Sequence, residues 1–201
     1  MDIITVPTDG GTAHVRTFTT SGENTGNFFS ADGRSGNFAL QYAYLTDQSE
    51  LNLLVTDVAR QRLFVHAADG TLLASVYVTG EVHSSANRLY VAQQRSIRSY
   101  RWSQTKQKLI AVDRWRTAGR LVDWTVVGDD IIAITKLQSR YRLVTKSKAT
   151  TLPPRLQSVQ LVTCQCQTTT TPNALVVWQR NKRTVFSTYS SDLIKLNDQT
   201  I

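Results

Sequence analysis

An all-β chain of repeated four-stranded antiparallel sheets is what the sequence predicts, on three observations. Short apolar runs recur at a regular spacing: Leu53-Leu54-Val55, Leu89-Tyr90-Val91, Ile131-Ile132-Ala133 and Leu175-Val176-Val177 begin 36, 42 and 44 positions apart. Each run is flanked by further β-type segments set off by turn residues. No amphipathic helical period persists beyond about two turns. A period near 40 residues with about four strands in each is the pattern of propeller blades. The expected fold is therefore a β-propeller-like array of four-stranded antiparallel blades, and four blades with no clear closing strand read as an incomplete propeller.

Taken in order, residues 1–38 are rich in Gly, Thr, Ser and Asn and read as a loop-rich segment with one strand around Ala13–Phe18. Four blades follow, over about 39–80, 81–118, 119–157 and 158–201. In the first, the strands are Ala39–Leu45, Leu51–Asp57, Arg62–Ala67 and Leu72–Val78, with Asp69-Gly70 as a two-residue turn. The second supplies Arg88–Ala92, Ile97–Trp102 and Lys108–Trp115. The third supplies Leu121–Val127, Asp130–Thr135 and Arg140–Thr145. The fourth supplies Val159–Cys164, Ala174–Trp178 and Thr184–Tyr189, with Leu193–Leu196 to close it. The strand carrying each apolar run is nearly continuous in apolar residues, as burial on both faces requires. The strand after it alternates, with Leu63 and Val65 set against Phe64 and His66, and Tyr141 and Leu143 against Arg140 and Arg142.

Apolar residues make up 41% of the 201 and charged residues 19%, which reads as globular and not as disordered. No run approaches the roughly 18–20 apolar residues of a membrane helix. The segment Met1-Asp2-Ile3-Ile4-Thr5 lacks the basic and apolar regions of a secretory leader, so an intracellular location, nuclear or cytoplasmic, is expected. Cys164 and Cys166 are one residue apart and cannot build a disulfide framework; on a strand they are two small side chains on one face. His14, His66 and His83 are scattered without ligand spacing, and no metal or cofactor is expected.

No phosphate-cradling Gly-rich loop, His-Glu-X-X-His or Gly-X-Ser-X-Gly occurs, so the reading is that of a non-enzyme. The adjacent carboxylates Asp129 and Asp130 fall at a turn, where Asp bonds to nearby backbone. The segment Gly119–Tyr141 runs as Arg120-Leu121-Val122-Asp123-Trp124-Thr125-Val126-Val127, a Gly128-Asp129-Asp130 turn, and Ile131-Ile132-Ala133-Ile134-Thr135. It resembles the inner strand, turn and second strand of a WD40-type blade in the divergent form found in scaffold proteins. The resemblance covers about residues 39–196 and implies blade architecture.

Charge is unevenly spread. Residues 1–87 hold four basic and nine acidic residues, whereas residues 88–201 hold nineteen basic and six acidic, a net of +13. Arg95, Arg98, Arg101, Lys106, Lys108, Arg114, Arg116 and Arg120 fall within 26 residues, interleaved with Tyr100, Trp102 and Trp115. Arg140, Arg142, Lys146 and Lys148 form a second group of one parity, which a regular strand would project on one side. Both groups are candidate contacts for nucleic acid or an acidic partner. The aromatic rings either stack on bases or pack between blades. Two functions follow. One is a non-catalytic scaffold subunit mediating protein–protein interaction in a multi-protein complex, with a partner capping an open blade edge. The alternative is an RNA-associated subunit, accessory to an RNA-processing or RNA-modifying enzyme. No membrane partner is expected.

Overall fold

The computed structural model describes residues 2–6, 13–18, 21, 24–31, 38–46, 52–67, 69–78, 80–85, 87–127, 130–163, 174–190 and 192–200. All regular structure among them is β. At the N-terminus, β1 (Asp2–Val6), β2 (Ala13–Phe18) and β3 (Asn24–Ala31) form an antiparallel three-stranded sheet. The sequence predicts one strand here. β3 contains two asparagines and a glycine, all poor strand formers, and its pairing with β2 shifts register at Val15/Arg16 and again at Thr17/Phe18. Pairing with a neighbour, more than local propensity, makes it a strand.

Four four-stranded antiparallel sheets follow, each a simple meander. The first is β4 (Phe38–Ala43), β5 (Asn52–Asp57), β6 (Arg62–His66) and β7 (Leu72–Tyr77). The second is β8 (Val82–Ser85), β9 (Arg88–Gln93), β10 (Ser96–Ser103) and β11 (Lys108–Arg116). The third is β12 (Arg120–Val127), β13 (Asp130–Leu137), β14 (Arg140–Val144) and β15 (Ala149–Thr151). The fourth is β16 (Ser158–Thr163), β17 (Ala174–Arg180), β18 (Arg183–Tyr189) and β19 (Lys195–Thr200). The expected all-β array of four-stranded sheets is thus present.

Three strands differ from the sequence reading. β8 and β15 are short and polar and carry no apolar pattern to read. The closing strand is β19, whose six residues are all exposed, and not Leu193–Leu196. Leu193 instead takes a left-handed conformation (φ 60°) in a turn where its N–H donates to the Ser190 carbonyl, and its side chain is buried in the core. The Asp69-Gly70 hairpin is also wider than a two-residue turn: Ala67 N–H donates to Thr71 O, Gly70 takes φ 91°, and the register shifts at Val65/His66. A true two-residue loop joins β17 to β18, where Arg180 faces Arg183 and both Asn181 and Lys182 have positive φ, the backbone of a type I′ turn.

Side-chain caps fix the other turns. The buried Asn52 side-chain oxygen accepts the Leu45 and Thr46 N–H groups at 2.9 and 3.0 Å, pinning the β4–β5 connection. The buried Asp57 carboxylate accepts Arg60 N–H at 3.0 Å and lies 3.7 Å from the Arg60 guanidinium. Both groups satisfy backbone donors that sheet pairing leaves open.

The chain divides into two compact units, residues 1–92 with 99–113, and residues 93–98 with 114–201. The first has a core of Leu54, Leu63, Val65, Leu89 and Val91 with Tyr100 and Leu109 packed against it. The second has Ile132, Ile134, Leu143, Val176 and Trp178 at its centre. The second strand of a sheet is the most deeply buried: all six residues of β5 and Ile131–Thr135 of β13 are buried. β17 departs from this by alternating buried and half-buried positions.

Candidate binding surface of the C-terminal unit

The twelve candidate cations are divided between the two units, with Arg101, Lys106 and Lys108 in the first and nine in the second. In the first, Arg101 is exposed on β10 beside Trp102, lining a cavity with Leu45 and Gln104, and Lys106 sits in the β10–β11 turn. Lys108 is exposed at the start of β11.

In the second unit, backbone bonds bring Arg95 and Arg120 together: Thr117 N–H donates to Arg95 O at 2.9 Å and Leu121 N–H to Gln94 O at 3.0 Å, and the two arginines line one cavity with Gln94. Arg98 is half-buried on β10. The Arg114 Nε–H donates to Ser96 Oγ at 3.3 Å.

The largest convergence is around the β13–β14–β15 sheet. One face of β14 carries Arg140, Arg142 and Val144; across the register Arg142 meets Thr135 and Arg140 meets Leu137. The other face carries Tyr141 and Leu143, which pack into the core of the unit. Tyr141 also receives Lys136, whose Nζ lies 5.1 Å from the ring centroid. Arg140 and Arg142 therefore share a side, as parity predicts. Lys146 and Lys148 do not follow by parity, because β14 ends at Val144 and both lie in the β14–β15 turn. That turn is held by Thr145 N–H to Lys148 O at 2.8 Å and Lys148 N–H to Thr145 Oγ1 at 3.1 Å. It folds both lysines over a cavity of about 270 Å³ also lined by Arg116, Thr135 and Arg142. Arg140 is not among its lining residues.

Gly119 forms part of the cavity wall and is there because nothing larger fits: a Cβ at this position would lie 2.6 Å from the Lys136 carbonyl oxygen. Thr117 Oγ1–H donates to Gly119 O at 2.8 Å, tying the β11–β12 connection. The sequence reading missed Thr117, Gly119 and Thr135. Only the Ala118-Gly119 turn between two strands hinted at a close backbone approach.

Of the interleaved aromatics, Trp102 is buried and Trp115 half-buried. His66 Nδ1–H donates to Gly70 O at 3.0 Å, and His83 lies 3.9 Å from Glu81, whose carboxyl it holds below the usual range by hydrogen bonding. Asp130 opens β13 and is exposed; Asp129, Cys164 and Cys166 lie outside the described residues. Among the described residues no group of three or more His, Cys, Asp or Glu is placed to hold a metal, and no helix is long and apolar enough to cross a membrane.

Compared with solved structures, the chain is similar to dihydro-heme d1 dehydrogenase NirN in complex with DHE, at 12% identity and a TM-score of 0.60 over 99% of this chain. It is also similar to BBS1N in complex with ARL6DN, in two crystals soaked with lead and with mercury, at 11 and 9% identity and TM-scores of 0.60 and 0.55 over 99 and 98% of this chain. The sheets are β-propeller blades. The chain spans 45% of the NirN chain and 64 and 63% of the two BBS1N chains. No protein-family model matches it, and no curated protein matches it in sequence.

Proposed function

We propose that this chain is a propeller-blade scaffold subunit that binds protein partners within a larger assembly, using the basic face of its C-terminal unit against an acidic partner. The observation that carries this reading is the gathering of Arg116, Arg142, Lys146 and Lys148 around one cavity, with Asp192 as the ion-pair partner of Lys148. Cations gathered on one face steer and orient an oppositely charged surface. The likeness to BBS1N, a propeller-type chain in complex with ARL6DN, supports a protein partner by analogy of fold. The edge strand β19, with every residue exposed, offers the place where a further subunit would cover a blade edge.

WD40-type blades that associate with RNA are the alternative. RNA would use the same cations, with half-buried Trp115 at the cavity to stack on, whereas the buried Trp102, Trp124 and Trp178 are spent on packing. The test is affinity capture by the tagged full chain and by a variant with Arg140, Arg142, Lys146 and Lys148 changed to Glu, each with and without ribonuclease. Acidic proteins retained by the parent chain, insensitive to ribonuclease and lost with the variant, are the expected result. Loss of all capture after ribonuclease sinks the protein-partner reading.

A further inference from the structure

Resting on the protein-partner reading above, we infer that the cavity between the β11–β12 connection and the β14–β15 turn is a subsite for a single oxyanion on a partner peptide: an aspartate or glutamate carboxylate, or a phosphoserine.

Arg142 is the centre of the argument. It is half-buried in the middle of a sheet, between Thr135 on β13 and Thr151 on β15, and makes no side-chain hydrogen bond or ion pair among the described residues. A guanidinium withdrawn from water costs free energy unless its forked donors meet an anion. Among the described residues no carboxylate lines the cavity. Arg116 enters from β11, likewise without a side-chain partner among the described residues. Two guanidinium groups facing one cavity suit the bidentate recognition of carboxylate or phosphate.

Neutral donors complete the site. The Thr145 hydroxyl accepts Lys148 N–H, so its own O–H is left to donate into the cavity. The buried Thr135 lies beside Arg142 in the register. The wall at Gly119 is set by backbone contact with the Lys136 carbonyl. The volume, about 270 Å³, accommodates one acidic or phosphorylated side chain. Lys148 is paired with Asp192, so the guanidinium pair and Lys146 supply the charge for recognition.

The test is fluorescence anisotropy of the full chain with three labelled probes: an Asp/Glu-rich dodecapeptide, a phosphoserine-containing peptide of neutral background, and a dodecamer of oligouridylate. Both peptides, or one of them, should bind, and Arg142→Gln should weaken that binding about tenfold to hundredfold. Arg140→Gln, on the same face but outside the cavity, should change it less than about twofold. Which peptide binds more tightly distinguishes carboxylate from phosphate. Protection of Arg142 from phenylglyoxal by the bound peptide, read by mass spectrometry on the unmutated chain, keeps the test independent of the variant's folding. Peptide binding that Arg142→Gln leaves intact, with Arg142 unprotected, overturns the subsite and leaves the partner reading standing. Binding of oligouridylate alone overturns both.

Discussion

The Asp123 carboxylate accepts the Leu161 backbone N–H at 2.6 Å, joining β12 to β16, the first strands of the third and fourth sheets. Its other oxygen accepts Trp124 N–H at 2.8 Å, at the point where the β12–β13 register shifts. In the N-terminal unit Gln41 does the corresponding work, its amide donating to Val82 O at 2.8 Å and joining β4 to β8. Each occupies the fourth position of its strand, and in these two pairs of sheets one polar side chain stitches the first strands together.

Asp123→Asn should destabilise the C-terminal unit by about 1–3 kcal/mol, because the amide keeps one acceptor where the carboxylate uses two. Urea unfolding followed by tryptophan fluorescence measures this. A midpoint equal to that of the parent chain would mean that the link contributes nothing.

A relay crosses the fourth sheet: Trp178 Nε1–H donates to Ser187 Oγ at 2.8 Å, and Ser187 O–H donates to Asp198 at 2.6 Å. Ser187 is fully buried, so Ser187→Ala strands the indole N–H and should cost about 1–3 kcal/mol. In Trp178→Phe, removing Ser187 as well should cost less than in the parent chain, because no indole donor is left stranded. A double-mutant cycle by chemical denaturation reads that coupling.

The same relay predicts an acid-sensitive contribution. Burial pushes the Asp198 carboxyl up, but hydrogen bonds from Lys195 and Ser187, together with the Lys195 charge, outweigh it and hold the group below its ordinary 3.8. A carboxyl whose folded pKa is depressed stabilises the fold above its unfolded value and loses that contribution as pH falls below it. The melting temperatures of the parent chain and of Asp198→Asn should therefore differ near neutrality, and the difference should shrink as pH falls below 3.8 and through the lower folded-state value. A constant difference at every pH would assign the effect to packing.

Changing Arg140, Arg142, Lys146 and Lys148 to Glu should abolish retention on a polyanion column at moderate salt. Four reversals remove the basic face of β14 and its following turn, and electrostatic retention scales with the number of contacts. Elution at the position of the parent chain would remove this face from consideration.

Hydrophobic patterning carried the sheets. The apolar second strands β5 and β13 are legible because burial on both faces demands a continuous run, as in Leu53-Leu54-Val55 and Ile131-Ile132-Ala133. Charge asymmetry located the basic residues in the C-terminal half for the same reason: composition is local and needs no partner. Tertiary structure decided the rest. β8, β15 and β19 are strands because a neighbour supplies their ladder, and their own residues (Val-His-Ser-Ser, Ala-Thr-Thr, and an all-exposed Lys195–Thr200) carry no signal of it. Parity placed Arg140 and Arg142 on one side, but a turn with its own hydrogen bonds brought Lys146 and Lys148 over the cavity. Arg116 reaches it from another strand, past a glycine whose missing side chain is legible only once the Lys136 carbonyl is known to lie against it. Periodicity records what one strand buries; a binding cavity is made by the backbone between strands, and the contacts that shape it are separated in the chain.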